Sequence, residues 1–312
     1  MTIGVDYTGR LGNQLFIYSY VRSLMERLPQ CDYQVVANFR RSYGGSSEDG
    51  FTDSLKYFHV QPYRIEDVNL EWQYGSFKQR MVYLAYELLQ RIPLTREWDS
   101  LQRLLRHVLE HFNFYFSDGD DAARPIGHLH KDSIFVRGFF QDRRNFDAIR
   151  SILLEELSPV FPPLDCNKEL YDVAAQPNSV CVTVRRGDYL SAQNKKNFYV
   201  CTPEYFEKAI ALLCQHLEAP TFIFFSDDKE WVREHMSVPD RPCYYENVDT
   251  PVWESLRLMY SCHHFIISNS TFSWWAQYLG RRADKLVICP SRWYASEWRT
   301  NLIDDSFMLV DV

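Results

Sequence analysis

Apolar residues follow two rhythms along this chain. Short apolar blocks fall at residues 2–6, 35–39, 134–140, 180–184, 221–225, 242–246, 264–267 and 285–289. Each has the length of a strand buried on both faces. Between them the apolar positions recur every three to four residues, the period of an amphipathic helix. Leu15, Phe16, Tyr18, Val21, Leu24, Met25 and Leu28 place such a helix over about 13–28. The same spacing predicts helices near 77–91, 99–115, 145–157, 203–217, 228–236, 252–262 and 272–281. Gly9-Arg10-Leu11-Gly12 reads as a glycine-bearing loop, and the polar, glycine-rich run 42–53 as a longer one. Pro159, Pro162 and Pro163 mark a linker at 158–165. Strands alternating with helices require right-handed crossovers and a parallel sheet. The expected architecture is α/β with two domains, 1–160 and 161–312.

Composition narrows the function more than the fold. The chain of 312 residues is 46% apolar and 16% aromatic, with a formal charge of −7. That sign disfavours binding to nucleic acid, though a local basic pocket for a small anion remains compatible with it. The aromatic content suits a sugar-facing protein, whose rings stack on C–H faces, and equally suits a large core. The eight cysteines form no C-x-x-C pair, so a zinc ribbon or thioredoxin-like motif is not expected. Cys181 and Cys289 sit in strand-like runs as reduced core residues, which points to a reducing compartment. Met1 leads straight into the first strand without a basic leader or a long apolar stretch, so neither a cleaved signal nor a membrane span is expected.

Ligands of an open parallel sheet bind beyond the carboxyl ends of its strands. After 180–184 comes Arg185-Arg186-Gly187-Asp188. After 221–225 comes Ser226-Asp227-Asp228. After 264–267 comes Ser268-Asn269-Ser270-Thr271, opening a helix. Arginines give bidentate bonds to phosphate oxygens, and a helix start offers free N–H groups to an anion. A carboxylate can accept from guanine N1–H and N2–H. Each feature alone has an ordinary explanation, as surface charge or as an N-cap. Together, at three strand ends, they point to a nucleoside diphosphate.

Gly9-Arg10-Leu11-Gly12-Asn13-Gln14-Leu15-Phe16, Val184-Arg185-Arg186-Gly187-Asp188-Tyr189, Phe225-Ser226-Asp227-Asp228 and Ser268-Asn269-Ser270-Thr271-Phe272-Ser273-Trp274-Trp275 resemble, in order, the signature blocks of the α-1,2-fucosyltransferase family. Phe139-Phe140-Gln141 and Leu256-Arg257-Leu258-Met259 resemble further family segments. The resemblance implies a GT-B-like fold, two Rossmann-type domains facing a cleft, with GDP-fucose mainly on the C-terminal one and the acceptor side on the N-terminal one. It also implies an inverting, metal-independent transfer to a galactose-ended oligosaccharide, without any cofactor beyond the donor. Arg185 would hold the diphosphate, Arg186 support it and Asp188 orient the loop. Asp228, beside Asp227, would read guanine, and Ser270, Thr271, Phe272 and Ser273 would line the phosphate and fucose end. Asn13 would face donor or acceptor. Thr183 stands where the family pattern usually has histidine. Its hydroxyl can replace one hydrogen bond but not a cation, so the donor contact at this position is an open question. A cytoplasmic enzyme, peripheral at the inner membrane face and acting on a lipid-linked or free glycan, fits the absence of an anchor. Alternatives are a transferase for another guanine-linked sugar and a non-catalytic glycan-binding protein.

Other motifs lead less far. His107-Val108-Leu109-Glu110-His111 matches the H-x-x-E-H zinc pattern. Its histidines fall to one side of an apolar stripe formed by Leu101, Leu104, Leu105, Val108, Leu109 and Phe112, as on a solvated flank. Asp118-Gly119-Asp120-Asp121 resembles a D-x-D metal motif but follows a helix rather than a strand. His263-His264 opens a strand and reads as core or wall. No metal site is expected.

Overall fold

The computed structural model describes residues 1–28, 32–39, 52–93, 99–117, 132–192, 194–296 and 300–312. Cys31, most of the 42–53 loop and the Asp118–Asp121 acidic run lie outside the described residues. The chain divides into two compact units, Met1–Lys56 with Val60–Glu156, and Tyr57–His59 with Leu157–Val312. Both are α/β units built on parallel sheets, the class expected from the strand–helix alternation.

In the first unit the elements run β1 (Thr2–Asp6), α1 (Leu11–Met25), β2 (Gln34–Asn38), β3 (Arg64–Ile65), α2 (Leu70–Tyr74), α3 (Phe77–Gln90), α4 (Asp99–His111), β4 (Phe114–Phe116), β5 (Ile134–Arg137) and α5 (Arg150–Glu156). The sheet order is β3-β2-β1-β5-β4, with all pairings parallel. Val36, Leu70, Tyr83, Phe114, Phe116 and Phe135 pack together in its core.

Several boundaries differ from the sequence expectation. α1 begins at Leu11, two residues earlier, so Gly12 is helical rather than part of the loop, and it ends at Met25. The helix expected over 99–115 stops at His111, and Phe114–Phe116 turns back as a strand beside β5. The turn lies at Asn113, whose φ of 62° ends the helix in the left-handed region that asparagine tolerates. The strand expected over 134–140 ends at Arg137 because Gly138 takes φ 133°, where a Cβ would fall 2.1 Å from the Ser117 carbonyl oxygen. Only Arg150–Glu156 of the helix expected over 145–157 is α-helical; tighter turns precede it.

In the second unit α6 (Lys168–Ala174) is followed by β6 (Ser179–Val184), α7 (Pro203–His216), β7 (Thr221–Ser226), α8 (Lys229–His235), β8 (Cys243–Tyr245), α9 (Val252–Ser261), β9 (His264–Ile266), α10 (Thr271–Leu279), β10 (Val287–Pro290) and β11 (Met308–Val310). Val180, Val182, Phe222, Phe224, Ile266 and Ile288 form the sheet side of a core closed by Tyr205, Phe206 and Leu213 of α7. The sheet order is β11-β10-β9-β6-β7-β8. From β6 the chain winds outward through β7 and β8. It then returns to β9 on the other side of β6 and winds outward again, the doubly wound Rossmann order. The reversal opens a crevice between β6 and β9.

The proline linker belongs to this unit. Glu254, fully buried, accepts from the Leu164 amide at 2.9 Å and from Asn167 Nδ2 at 3.2 Å. It also pairs with Arg257 at 3.2 Å. Arg257 in turn donates to the carbonyls of Pro159 and Phe161. The seven cysteines among the described residues are free thiols. No helix among the described residues is long and apolar enough to cross a membrane.

Candidate active site at the β6–β9 crevice

The chain leaves β6 as Arg185-Arg186-Gly187-Asp188, and the loop folds back on the end of β7. Asp227 organises it. Its Oδ1 accepts from the Arg186 amide at 2.9 Å, and its Oδ2 pairs with Arg185 at 3.1 Å. A Cβ at Gly187 would fall 2.3 Å from Asp227 Oδ2, so glycine lets the loop close on that carboxylate. Asp188 pairs with the other side of the same guanidinium at 2.6 Å. Arg185 also lies over the ring of Tyr189, 5.4 Å from its centroid. Burial works against the charge of Arg185, but Asp227 and Asp188 outweigh it and raise its pKa. Burial likewise raises the Tyr189 phenol. That phenol donates to the Asn269 carbonyl at 3.0 Å and ties the loop to the end of β9.

Arg186 points to α8. Its guanidinium stacks on Trp231 at 3.4 Å and pairs with Asp228 at 3.2 Å. Asp228 also caps α8 by accepting from the Trp231 amide at 3.3 Å. Two arginines thus face three aspartates. The pair is a clamp oriented by carboxylates rather than an open pool of positive charge, and a bound anion would share both guanidiniums with their partners.

Across the crevice, Asn269 anchors the end of β9 by donating to the carbonyls of Phe198 and Trp293 at 2.7 and 2.8 Å. Ser270 stands at the N-cap of α10 but makes no side-chain capping bond. The first-turn N–H groups over Thr271, Phe272 and Ser273 have no intrahelical partner, as at any helix start. Ser273 Oγ lies 3.0 Å from Ser268 Oγ. Ser270 and Ser273 are buried, whereas Thr271 and Phe272 are partly exposed at the helix mouth.

Thr183 faces inward. It is 3% exposed; its hydroxyl accepts from the Ser268 amide at 3.1 Å and lies 3.5 Å from the Ile266 carbonyl. It bridges β6 and β9 beneath the crevice. In the first unit, Gln141 Nε2 donates to Asn13 Oδ1 at 3.1 Å. The adjacent Gln14 is wholly structural: it donates to the carbonyls of Gly9 and Thr52 and accepts from the Ser54 amide.

The structure therefore gathers Arg185, Arg186, Asp188, Asp227 and Asp228 around the ends of β6 and β7, and Tyr189 ties that loop to the end of β9, where the Ser270–Ser273 helix start follows. It sets Thr183 below the crevice and Asn13 in the first unit. Sequence reasoning did not single out Trp231, Tyr189 or Asn269 as positioning groups. Trp231 lies three residues after Asp228, where an N-cap carboxylate meets the backbone, and that spacing was its available signal. The histidine motifs also have places. His107 and His111 are exposed on α4, and no group of three His, Cys, Asp or Glu among the described residues is arranged to hold a metal. His263 Nε2 lies 2.9 Å from Asp284, and His264 is buried at the start of β9, an interior strand. A cavity of about 850 Å³ in the first unit, lined by Glu87, Gln102, Arg103, Arg106 and Arg137 among others, contains none of the signature residues.

A doubly wound parallel sheet, with paired arginines and an open helix start at its switch point, places the unit in the Rossmann-type α/β class, with room for an anion at that point. More particularly, residues 113–309 match the model of glycosyl transferase family 11, and the chain belongs to that family. An α-1,2-colitosyltransferase of Escherichia coli is 32% identical over 185 residues, 58% of this chain and 63% of that protein. A galactoside alpha-(1,2)-fucosyltransferase 1 of Saimiri boliviensis boliviensis is 31% identical over 207 residues, 65% of this chain and 53% of that protein. The chain thus spans less than two thirds of the length of these relatives. Among solved structures, NodZ alpha-1,6-fucosyltransferase soaked with GDP-fucose aligns at 13% identity and a TM-score of 0.44, covering 89% of this chain and 93% of that one.

Proposed function

We propose that the chain is an inverting transferase that moves L-fucose from GDP-fucose to a hydroxyl of a galactose-ended acceptor, forming an α-1,2 linkage. The observation that carries the reading is the Arg185–Arg186 clamp at the β6–β9 switch point, opposite the start of α10. Family membership and two relatives named for α-1,2 transfer support the linkage. In the reaction the acceptor oxygen bonds to C1 of the sugar as the bond from C1 to the diphosphate oxygen breaks, and the acceptor proton leaves to a base. Negative charge grows on the departing diphosphate. Guanidinium and helix N–H groups already oriented by Asp188, Asp227 and Tyr189 stabilise that charge without having to reorganise. Two fixed guanidiniums can supply the electrostatic role that a divalent ion plays elsewhere, so the transfer proceeds without metal.

Asp228 beside the clamp is the proposed reader of guanine; its second role as cap of α8 fixes its position. The acceptor is a glycan, lipid-linked or free, and the enzyme works in the cytoplasm or against the inner membrane face. A second reading, transfer from another guanine-linked sugar donor, is favoured by the relative named as a colitosyltransferase. The test is transfer of labelled sugar to a β-galactoside in EDTA, with GDP-fucose and other GDP-sugars in parallel. Fucosyl product formed equally with and without chelator supports the proposal. GDP-fucose left intact while another donor is consumed selects the second reading, and no turnover of any donor rejects both.

A further inference from the structure

α3 is amphipathic the wrong way round for a helix that buries its apolar stripe. Gln79 and Tyr83 are its buried positions; Ser76 and Gln79 form a capping box that fixes its start. Phe77, Met81, Leu84 and Leu88 recur every three to four residues on the opposite side, 78, 48, 36 and 52% exposed. Ile92, just past the helix end, extends the stripe at 48% exposure. The row is about 22 Å long. The neighbouring α4, joined through a 3.0 Å bond from Gln90 to Gln102, exposes Leu104 at 60% and Val108 at 41%. Sequence periodicity assigns both to an apolar stripe with Leu109, and the structure buries Leu109 but exposes these two.

Exposed cations stand along this surface. Lys78 is exposed on α3, Arg91 at its C-terminal end and Arg103 on α4. From Phe77 to Ile92 there are three basic residues, Lys78, Arg80 and Arg91, against one acidic, Glu87, in a chain whose formal charge is −7. Exposed apolar side chains in a row are expensive in water. A two-fold contact with a second copy would set the same basic residues against themselves. An apolar row with a cationic border matches instead a surface that is apolar beneath and anionic at its rim.

We propose that the α3–α4 face docks on the surface of a bilayer containing anionic phospholipid. Phe77, Met81, Leu84 and Leu88 enter the headgroup–acyl boundary while Lys78, Arg91 and Arg103 meet the phosphates. The proposal rests on this surface alone, and its failure would leave the transferase reading standing. The test is flotation of the whole chain with phosphatidylcholine vesicles, with or without phosphatidylglycerol, at low and high salt. Binding should require phosphatidylglycerol and weaken with salt. Phe77→Ser with Leu88→Ser should lower the bound fraction about tenfold or more, and Lys78→Gln or Arg91→Gln about fivefold each. Thermal unfolding and GDP binding should be unchanged in all of them. A wild-type chain that stays unbound at low salt, or variants that float as well as wild type, would overturn the proposal. So would self-association that the serine pair abolishes while vesicle binding is absent.

Discussion

Thr183→Val tests whether the position that the family pattern gives to histidine serves the ligand or the sheet. The substitution keeps shape and removes only the hydroxyl. In the structure that hydroxyl accepts from the Ser268 amide at 3.1 Å, and Ser268 is fully buried. Leaving a buried N–H without an acceptor costs about 1–3 kcal/mol. The extra buried methyl returns at most about 0.8 kcal/mol, so a net loss of about 1–2 kcal/mol is expected. For a unit of this size that lowers Tm by about 2–8 °C. Thr183→Ser keeps the bond and loses one methyl, a loss of about 1 kcal/mol. The two can be separated by hydrogen exchange at Ser268, which should accelerate in the valine variant and stay slow in the serine one. KM for the donor should change less than about threefold in either, because the hydroxyl lies under the crevice and not in it. The reasoning fails if Thr183→Val is as stable as wild type, or if donor KM rises tenfold while stability is unchanged.

Three further outcomes follow from the same contacts. Glu254→Ala should destabilise the second unit by about 3–5 kcal/mol, since it strands buried Arg257 beside the linker. Glu254→Gln, which keeps an acceptor for Leu164, should cost less, and urea unfolding compares the two. His264 accepts from the Leu286 amide at Nδ1, while Nε2 faces the Pro177 carbonyl, so burial and neighbouring His263 hold its pKa below 6.5. A depressed folded pKa means that the unfolded chain binds the proton first. Stability from this site should therefore be full above pH 6.5 and erode as pH falls below it; imidazole titration at or above 6.5 by NMR would contradict the geometry. Asp228→Asn should keep the cap of α8 yet reduce the preference for GDP over ADP by about tenfold, measured by calorimetry; an unchanged ratio would remove Asp228 from base reading.

The second unit was legible because its strands are buried on both faces and write themselves as unbroken apolar blocks. Its site was legible because the residues after each block converge wherever strands run parallel. What could not be read was register. Thr183 points at Ser268 only because Val182 lies opposite Ile266 in the β6–β9 pairing, and a linear reading of the motif has no access to that pairing. The same holds for Asp227, whose partner amide is 41 residues away. In the first unit Phe112 to Phe116 continued the apolar rhythm of α4, so the turn at Asn113 was hidden inside a run that fits both periods. β3 and β11 are too short to carry a pattern, and β3 is exposed at both residues. α3 shows a further limit. Its stripe was correctly periodic, but periodicity names a face without saying what the face meets.

The central claim is that Arg185 acts on the leaving diphosphate. Its guanidinium is shared by Asp188 at 2.6 Å and Asp227 at 3.1 Å, a two-sided hold that a lysine ammonium cannot reproduce. Steady-state kinetics of Arg185→Lys with GDP-fucose and a galactoside acceptor, with thermal unfolding as the control for folding, measure the claim directly. The account predicts kcat lower by about 100-fold or more with Tm nearly unchanged. A kcat near that of the wild type in a normally folded Arg185→Lys variant would contradict it.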